Sequence, residues 1–230
     1  MQAATHRSPW TASVTALVLI VLWDLSGLDV VLARAMGGLQ AFPLRDNWFL
    51  GTVAHTGAKY AAWVFEMGLC LLAVWPAGPF ARLPLVRRVQ LATTVVLASG
   101  LVALLKANSL TSCPWDLHEF GGLARHLSHW SGWFDTDGGA GRCFPAGHAS
   151  TGFAFLGGYF ALRHHAPRMG RRWLMAALGA GALLGICQQL RGAHFLSHTL
   201  WTGWICWMTA FLTDPLFTDS RLPHTLEATP

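Results

Sequence analysis

The chain is divided into long apolar runs separated by shorter polar segments, and this pattern limits what it can fold into. An apolar run of about 20 residues can cross the hydrocarbon core of a bilayer as a helix. Such runs occur at 11–31, 50–76, 89–107, 148–163, 173–191 and 195–213. The pattern predicts an all-α polytopic membrane protein, with six transmembrane helices in one bundle.

The composition excludes most other classes of protein. Only 12% of the residues are charged and 53% are hydrophobic, whereas soluble domains carry roughly 25% charged residues. The first apolar run resembles a signal peptide, but no small-residue cleavage site follows it, so we interpret it as a retained span. Arginines occur in short clusters between apolar runs and not along one basic face, so we predict no nucleic-acid partner.

The arginine clusters also predict the orientation of the chain. Segments 77–88 and 163–172 carry several arginines and no acid, and short arginine-rich loops stay cytoplasmic. We therefore expect both termini in the cytoplasm of a bacterial inner membrane, with segments 32–49, 108–147 and 191–195 on the periplasmic side. A loop as long as 108–147 predicts a lid or binding loop between the third and fourth helices.

Five basic or titratable residues are predicted to lie at one depth, on the periplasmic side. Lys106 ends the third span, His148 begins the fourth, and Arg191 ends the fifth. His194 and His198 begin the sixth. Charged groups near a bilayer are costly, so their convergence predicts a functional site. The alternative is interfacial snorkelling, which explains single residues better than five together.

Three short motifs surround these residues. They are Lys106-x6-Cys113-Pro114, Pro145-Ala146-Gly147-His148 and Gln188-x5-His194-x3-His198. They resemble the motifs of the membrane branch of the type 2 phosphatidic acid phosphatase superfamily: Lys-x6-Arg-Pro, Pro-Ser-Gly-His and Arg-x5-His-x3-Asp. Four positions depart from that pattern, namely Cys113, Ala146, Gln188 and His198. The resemblance implies a single phosphatase domain over residues 1–230, with its motif-bearing core at about 50–213.

The resemblance also implies metal-independent chemistry without a cofactor. His194 would attack phosphorus and form a phosphohistidine, and His148 would protonate the leaving oxygen and then activate water. A phosphoryl group in transfer spreads negative charge over its oxygens, so cations and N–H donors should surround it. The candidates for this binding are Lys106, Arg191, Gln188 and the backbone at Ala146 and Gly147.

The third motif leaves two assignments open. His198 is expected to accept a hydrogen bond from His194 and fix its tautomer, as the family's Asp would. Asp116 and Glu119 are the candidates for the missing negative charge, and the alternative for Asp116 is that it caps a turn after Pro114. In a rival register, Arg191, His198 and Thr202 form the third motif and His198 is the nucleophile.

Two further sets of residues are predicted to form contacts. Cys113 and Cys143 fall on the oxidising side, one beside each of the first two motifs, so we predict a disulfide between them, with free thiols as the alternative. His55, Lys59 and Glu66 share one face of the second span. We interpret Lys59 with Glu66 or His55 as a structural pair.

The predicted function is hydrolysis of a lipid phosphate or pyrophosphate monoester at the periplasmic leaflet. The substrate would be a membrane lipid, and the residues do not select among a polyprenyl pyrophosphate, lipid A phosphates, phosphatidylglycerol phosphate and phosphatidic acid. Two alternatives stay open. One is a lipid phosphotransferase with the same intermediate, and the other is a non-catalytic lipid-binding or transport protein.

Overall fold

A computed structural model describes residues 9–38 and 41–217 of the chain. In this part the structure is all-helical, without strands, as the apolar runs predicted. The helices are α1 Pro9–Ser26, α2 Leu28–Gly37, α3 Ala58–Val74, α4 Leu85–Asn108, α5 Gly147–Phe153, α6 Gly157–Leu162, α7 Pro167–Leu190 and α8 Leu196–Thr213. A π-helical turn, Phe49–Gly57, leads directly into α3, and a 3₁₀ turn, Ala154–Leu156, joins α5 to α6.

Four segments are long and apolar enough to cross a membrane. They are Pro9–Ser26, Phe49–Arg82, Leu85–Asn108 and Pro167–Leu190, and they match the first, second, third and fifth predicted spans. The fourth and sixth predicted spans are also helical, as α5–α6 and α8, but they are not among these four. Membrane association is therefore supported, and the count of six spans stays a prediction.

Two helix boundaries differ by five or more residues from the predicted ones. The first apolar run was expected to continue to residue 31, but α1 ends at Ser26 because Gly27 adopts a left-handed conformation with φ 69°. Glycine reaches this region at little cost, so the chain turns there into α2. Helix α7 begins at Pro167, six residues before the expected start at 173, and the fixed φ of proline suits a first helical position.

Small residues bring α5 to the centre of the bundle. A Cβ atom added to Gly152 would collide with the backbone of Gly181 on α7, and one added to Gly185 would collide with Thr199 on α8. Such close backbone approach is typical of helices packed through glycine in membranes. This packing fixes the start of α5, which carries His148, relative to α7 and α8.

The bundle has two chemically different ends. Arg87 lies in the first turn of α4 and Lys106 in its last, which separates them by roughly 28 Å at 1.5 Å per residue. This length is close to the thickness of a bilayer core, about 30 Å. We call the end that carries Lys106 the histidine end and the end that carries Arg87 the arginine end.

Candidate functional site

Residues from four separate elements meet at the histidine end. Lys106 comes from the last turn of α4 and His148 from the first turn of α5. His194 lies in the link before α8, and His198 lies in the first turn of α8. Lys106 and His148 line the same cavity, and the rings of His194 and His198 lie 5.7 Å apart, edge to face. The structure thus brings together four residues that were selected from the sequence.

His194 is held in a defined orientation. Its side chain is buried, and its Nδ1 lies 3.5 Å from Cys143 Sγ. That sulfur is bonded to Cys113 and carries no hydrogen, so a hydrogen bond between these two atoms has Nδ1–H as its donor and leaves Nε2 as the unprotonated nitrogen. Burial lowers the pKa of His194 well below its ordinary value, nearby Lys106 lowers it further, and a backbone hydrogen bond at Cys143 opposes them. The imidazole is therefore neutral at pH 7.

His148 stacks on a second histidine that the sequence did not identify as part of the site. The rings of His148 and His55 are 3.5 Å apart between centroids and inclined by 24°. His148 Nε2 is buried and has no hydrogen-bond partner among the described residues. His55 is carried by the π-helical turn Phe49–Gly57, a type of turn that is frequent at functional sites.

The predicted pairing along the second span is not found. Lys59 Nζ lies over the ring of Trp63, 4.6 Å from its centroid, and Glu66 accepts a hydrogen bond of 3.2 Å from Ser99 Oγ. His55 contacts His148 instead of Lys59. Glu66 and His55 thus have partners on α4 and α5, whereas Lys59 contacts an aromatic ring one turn along α3.

Arg191 and Gln188 lie side by side at the site. Arg191 Nη1 donates to Gln188 Oε1 at 3.2 Å, and Arg191 Nε donates to the carbonyl of Arg45 at 3.0 Å. The guanidinium also lies 5.6 Å from the ring centroid of Trp115. Gln188 Nε2 is buried without a partner in the described part of the chain. The Gln188 side chain therefore keeps a free N–H donor, while its oxygen accepts a hydrogen bond from the Arg191 guanidinium.

The second motif is tied to α8 through its backbone. Ala146 N donates to the carbonyl of His198 at 3.3 Å, so the expected contribution of the Ala146 N–H to phosphate binding is not supported. Thr202 Oγ1 donates to the carbonyls of Ala146 and His198. The rival third motif relied on Thr202, whose hydroxyl is already used to join these two segments. At Gly147 an added Cβ would lie 3.2 Å from Lys106 Cδ, which leaves little room for a side chain.

A cavity of about 750 Å³ opens from this site into the bundle. Lys106, Gly147 and His148 lie at its polar end. Apolar and aromatic side chains from α3, α4 and the α5–α6 segment form most of its wall, among them Trp63, Met67, Val96, Val102 and Phe155. The cavity therefore has a polar end at the histidines and a mostly apolar wall elsewhere.

Comparison with known families agrees with this geometry. The family model described as PAP2 superfamily matches residues 88–221, more than half of the chain. The chain belongs to the PAP2 superfamily. No curated protein and no solved structure matches it. Membership supports phosphatase-type activity on phosphate esters, and the matched segment contains Lys106, His148, His194 and His198.

A disulfide connects the first two PAP2 motifs. Cys113 and Cys143 are bonded in the structure, with their Cα atoms 5.1 Å apart, within the usual range. Cys143 Sγ also lies within 4.8 Å of ligand atoms of His194 and His198. A sulfur in a disulfide is not a thiolate, so this group cannot coordinate zinc while the bond is closed.

The acids predicted to lie beside the PAP2 third motif have other partners. Asp116 accepts a hydrogen bond of 3.1 Å from Trp115 Nε1 and borders a separate cavity, and Glu119 pairs with Arg34. The acid that contacts a histidine at this end is Asp24 of α1, whose Oδ2 lies 3.4 Å from His129 Nε2. Neither Asp24 nor His129 was identified from the sequence, since they lie 105 positions apart and meet only when the long loop folds over α1.

Proposed function

We propose that this chain is a membrane phosphatase that hydrolyses a lipid phosphate or pyrophosphate monoester through a phosphohistidine at His194. One observation supports this most directly. Lys106 at the polar end of the apolar cavity, and Arg191 at the same end of the bundle, make no ion pair with an acid of residues 9–38 and 41–217, and the ring nitrogen His148 Nε2 is buried without a partner in that part of the chain. A phosphoryl group would provide the missing negative charge and hydrogen-bond acceptors.

The reaction would proceed in two displacements. His194 Nε2 attacks phosphorus while the bond from phosphorus to the lipid oxygen breaks, and His148 donates a proton to that oxygen. Water then attacks the phosphohistidine, His148 takes up its proton, and the P–N bond breaks to release inorganic phosphate. The contact between His194 Nδ1 and Cys143 Sγ supports this assignment because it leaves Nε2 available.

The phosphate oxygens would be bound by groups from three elements. Lys106 supplies a cation from α4, and Arg191 supplies a guanidinium from the end of α7. Gln188 Nε2 adds a neutral donor, which replaces part of what an arginine would give there. Gly147 begins α5, so its N–H has no acceptor within the helix. Donors fixed in this way stabilise charge as it develops in the transition state.

The hydrocarbon chain of the substrate would occupy the cavity between α3 and α4. The phosphate would then lie at headgroup depth, where His148 and His198 begin their helices. The loop over residues 108–147 would act as a lid on this site, and the whole chain would work as one domain.

We place the site on the periplasmic face of a bacterial inner membrane. The Cys113–Cys143 disulfide beside it supports an oxidising compartment. Single-cysteine labelling in intact cells should detect residues 85 and 168 inside and residue 130 outside. Labelling of residue 168 from the outside would invert the topology and require a cytoplasmic substrate.

The function is tested by phosphate release from a panel of lipid phosphates in detergent. The panel should include a polyprenyl pyrophosphate, phosphatidic acid, phosphatidylglycerol phosphate and a lipid A phosphate, each with and without a chelator. We expect chelator-resistant release of inorganic phosphate from at least one of them. A second phosphorylated lipid as product would indicate a phosphotransferase, and binding without turnover would indicate a lipid-binding or transport protein.

A further inference from the structure

Asp24 is a buried acid without a lysine or arginine partner in the described residues. Its side chain is 7% exposed. Oδ2 accepts hydrogen bonds from Trp201 Nε1 at 2.9 Å and Trp130 Nε1 at 3.2 Å, and Oδ1 is buried without a partner. Among the described residues, His129 is its one ion-pair partner within 4.0 Å. Because an unpaired buried carboxylate is costly, the pairing with His129 requires an explanation.

His129 lies between Asp24 and the proposed catalytic histidines. Its ring stacks on Phe144 at 4.2 Å between centroids and an angle of 11°. It also meets the ring of His198 edge to face, with centroids 5.8 Å apart. Phe144 directly precedes the second motif, so the position of His129 is fixed by the same segment that positions His148.

His198 continues this arrangement toward His194. It is 1% exposed, and its Nδ1 has no hydrogen-bond partner in the described part of the chain. His129, His198 and His194 thus form a row, which we call the histidine row, with Asp24 at one end. No direct hydrogen bond joins these three rings, and the one expected from His194 to His198 is absent. Catalytic hydrogen bonds are often long before substrate binds.

We propose that Asp24, acting through His129, supplies the negative charge that the third PAP2 motif normally carries at the position of His198. This inference rests on the proposed function. The carboxylate lies 3.4 Å from His129 Nε2 without a hydrogen bond between them, so its negative charge polarises the ring of His129 and, through that ring, those of His198 and His194. As His194 bonds to phosphorus and becomes cationic, the polarised row stabilises it. Asp24 is therefore a positioning residue, and no proton leaves the row.

The competing role for Asp24 is purely structural, as an anchor for Trp130 and Trp201. The substitution Asp24→Asn separates the two roles. An amide oxygen still accepts both indole hydrogen bonds, whereas the negative charge is lost. We expect turnover to fall about 10- to 100-fold, which is the usual loss when a residue that orients a metal-binding histidine is replaced.

Asp29 provides a matched control at the same end of the bundle. It accepts hydrogen bonds from Trp23 Nε1 at 2.7 Å and from the Ser197 backbone N at 3.0 Å. Asparagine caps a helix as well as aspartate does, so Asp29→Asn should leave turnover close to that of the wild type. The pH profile of kcat/KM should shift in Asp24→Asn and not in Asp29→Asn. The titratable and charged groups that face the row are Asp24, His126, His148 and Lys106.

The decisive comparison uses His198→Asp, which restores the carboxylate of the motif. In that background the charge of Asp24 is no longer needed, so adding Asp24→Asn should change turnover little. An equal loss in both backgrounds would assign Asp24 a structural role and overturn the inference, as would full activity of Asp24→Asn alone. If His198→Asp does not fold, His129→Gln replaces it: Asp24→Asn should then add nothing to His129→Gln, and additive losses would overturn the inference.

The inference can also be separated from the proposed function. A wild-type protein that releases no phosphate from any lipid would overturn the proposed function. The ¹⁵N chemical shifts of the His129 and His198 imidazoles would then test whether the charge of Asp24 acts on these rings. They must change in Asp24→Asn and stay unchanged in Asp29→Asn, and identical spectra for all three proteins would overturn the inference.

Discussion

The two ends of the bundle use polar residues in opposite ways. At the arginine end, Arg163 Nη2 lies 2.6 Å from Asp214 Oδ2, and Arg87 Nη1 lies 3.4 Å from Asp214 Oδ1. Gln90 donates to the same carboxylate at 2.6 Å. At the histidine end, Lys106 makes no such ion pair within the described residues, and the buried nitrogen His148 Nε2 has no partner.

The difference between the two ends supports a ligand site at the histidine end. A buried charge is stabilised only when a partner neutralises it. At the arginine end that partner is Asp214 of the same chain, which joins α4, α6 and α8. At the histidine end, Lys106 and Arg191 have no acid partner among the described residues, which supports the proposal that an anionic ligand binds there. Substitutions at either end test this contrast. The effects on turnover that we expect decrease in the order given below.

The largest effect is expected at His194. His194→Asn removes the proposed nucleophile and should lower turnover by about 10⁴-fold or more, as loss of a covalent catalyst does in other enzymes. Acid-labile phosphoenzyme, trapped with ³²P-labelled substrate, should disappear at the same time. His164→Asn at the arginine end is the matched control and should retain both signals. Retained activity in His194→Asn with complete loss in His198→Asn would favour the rival register instead.

A smaller effect is expected at Lys106. Lys106→Met removes one cation from the phosphate site and should lower kcat/KM by about 10²- to 10³-fold, which is typical for one transition-state donor. Lys106→Arg keeps the charge and should recover part of the activity. Equal activity of Lys106→Met and wild type would show that the free cation at the histidine end does not face the substrate.

The helices were predictable because long apolar runs determine them. The convergence of Lys106, His148, His194 and His198 followed from the same pattern, since successive antiparallel spans return alternate ends to one face. The limits of the spans were less accurate. Gly27 ended α1 early, and Pro167 started α7 within a segment expected to be a loop.

Other contacts depended on tertiary structure and could not be predicted from local spacing. Asp24 and His129 meet through a loop whose path is set by the Cys113–Cys143 disulfide and by packing on Phe144. His55 reaches His148 through a π-helical turn that the apolar pattern did not reveal. Asp214 neutralises arginines that were interpreted only as topology signals, because its position in sequence is 127 residues after Arg87.

The smallest effect on turnover is expected at Asp214, although its effect on stability should be large. Asp214→Asn leaves Arg87 and Arg163 without a neutralising charge, and breaking a buried pair in this way costs about 3–5 kcal/mol. The midpoint of thermal unfolding in detergent should therefore fall. The value of kcat, normalised to the fraction of protein that substrate can phosphorylate, should stay near that of the wild type. Asp135→Asn, at an exposed acid, is the matched control and should change neither quantity. A loss of kcat like that of Lys106→Met, without a loss of stability, would show that the arginine end also acts on the substrate, and the contrast between the two ends would fail.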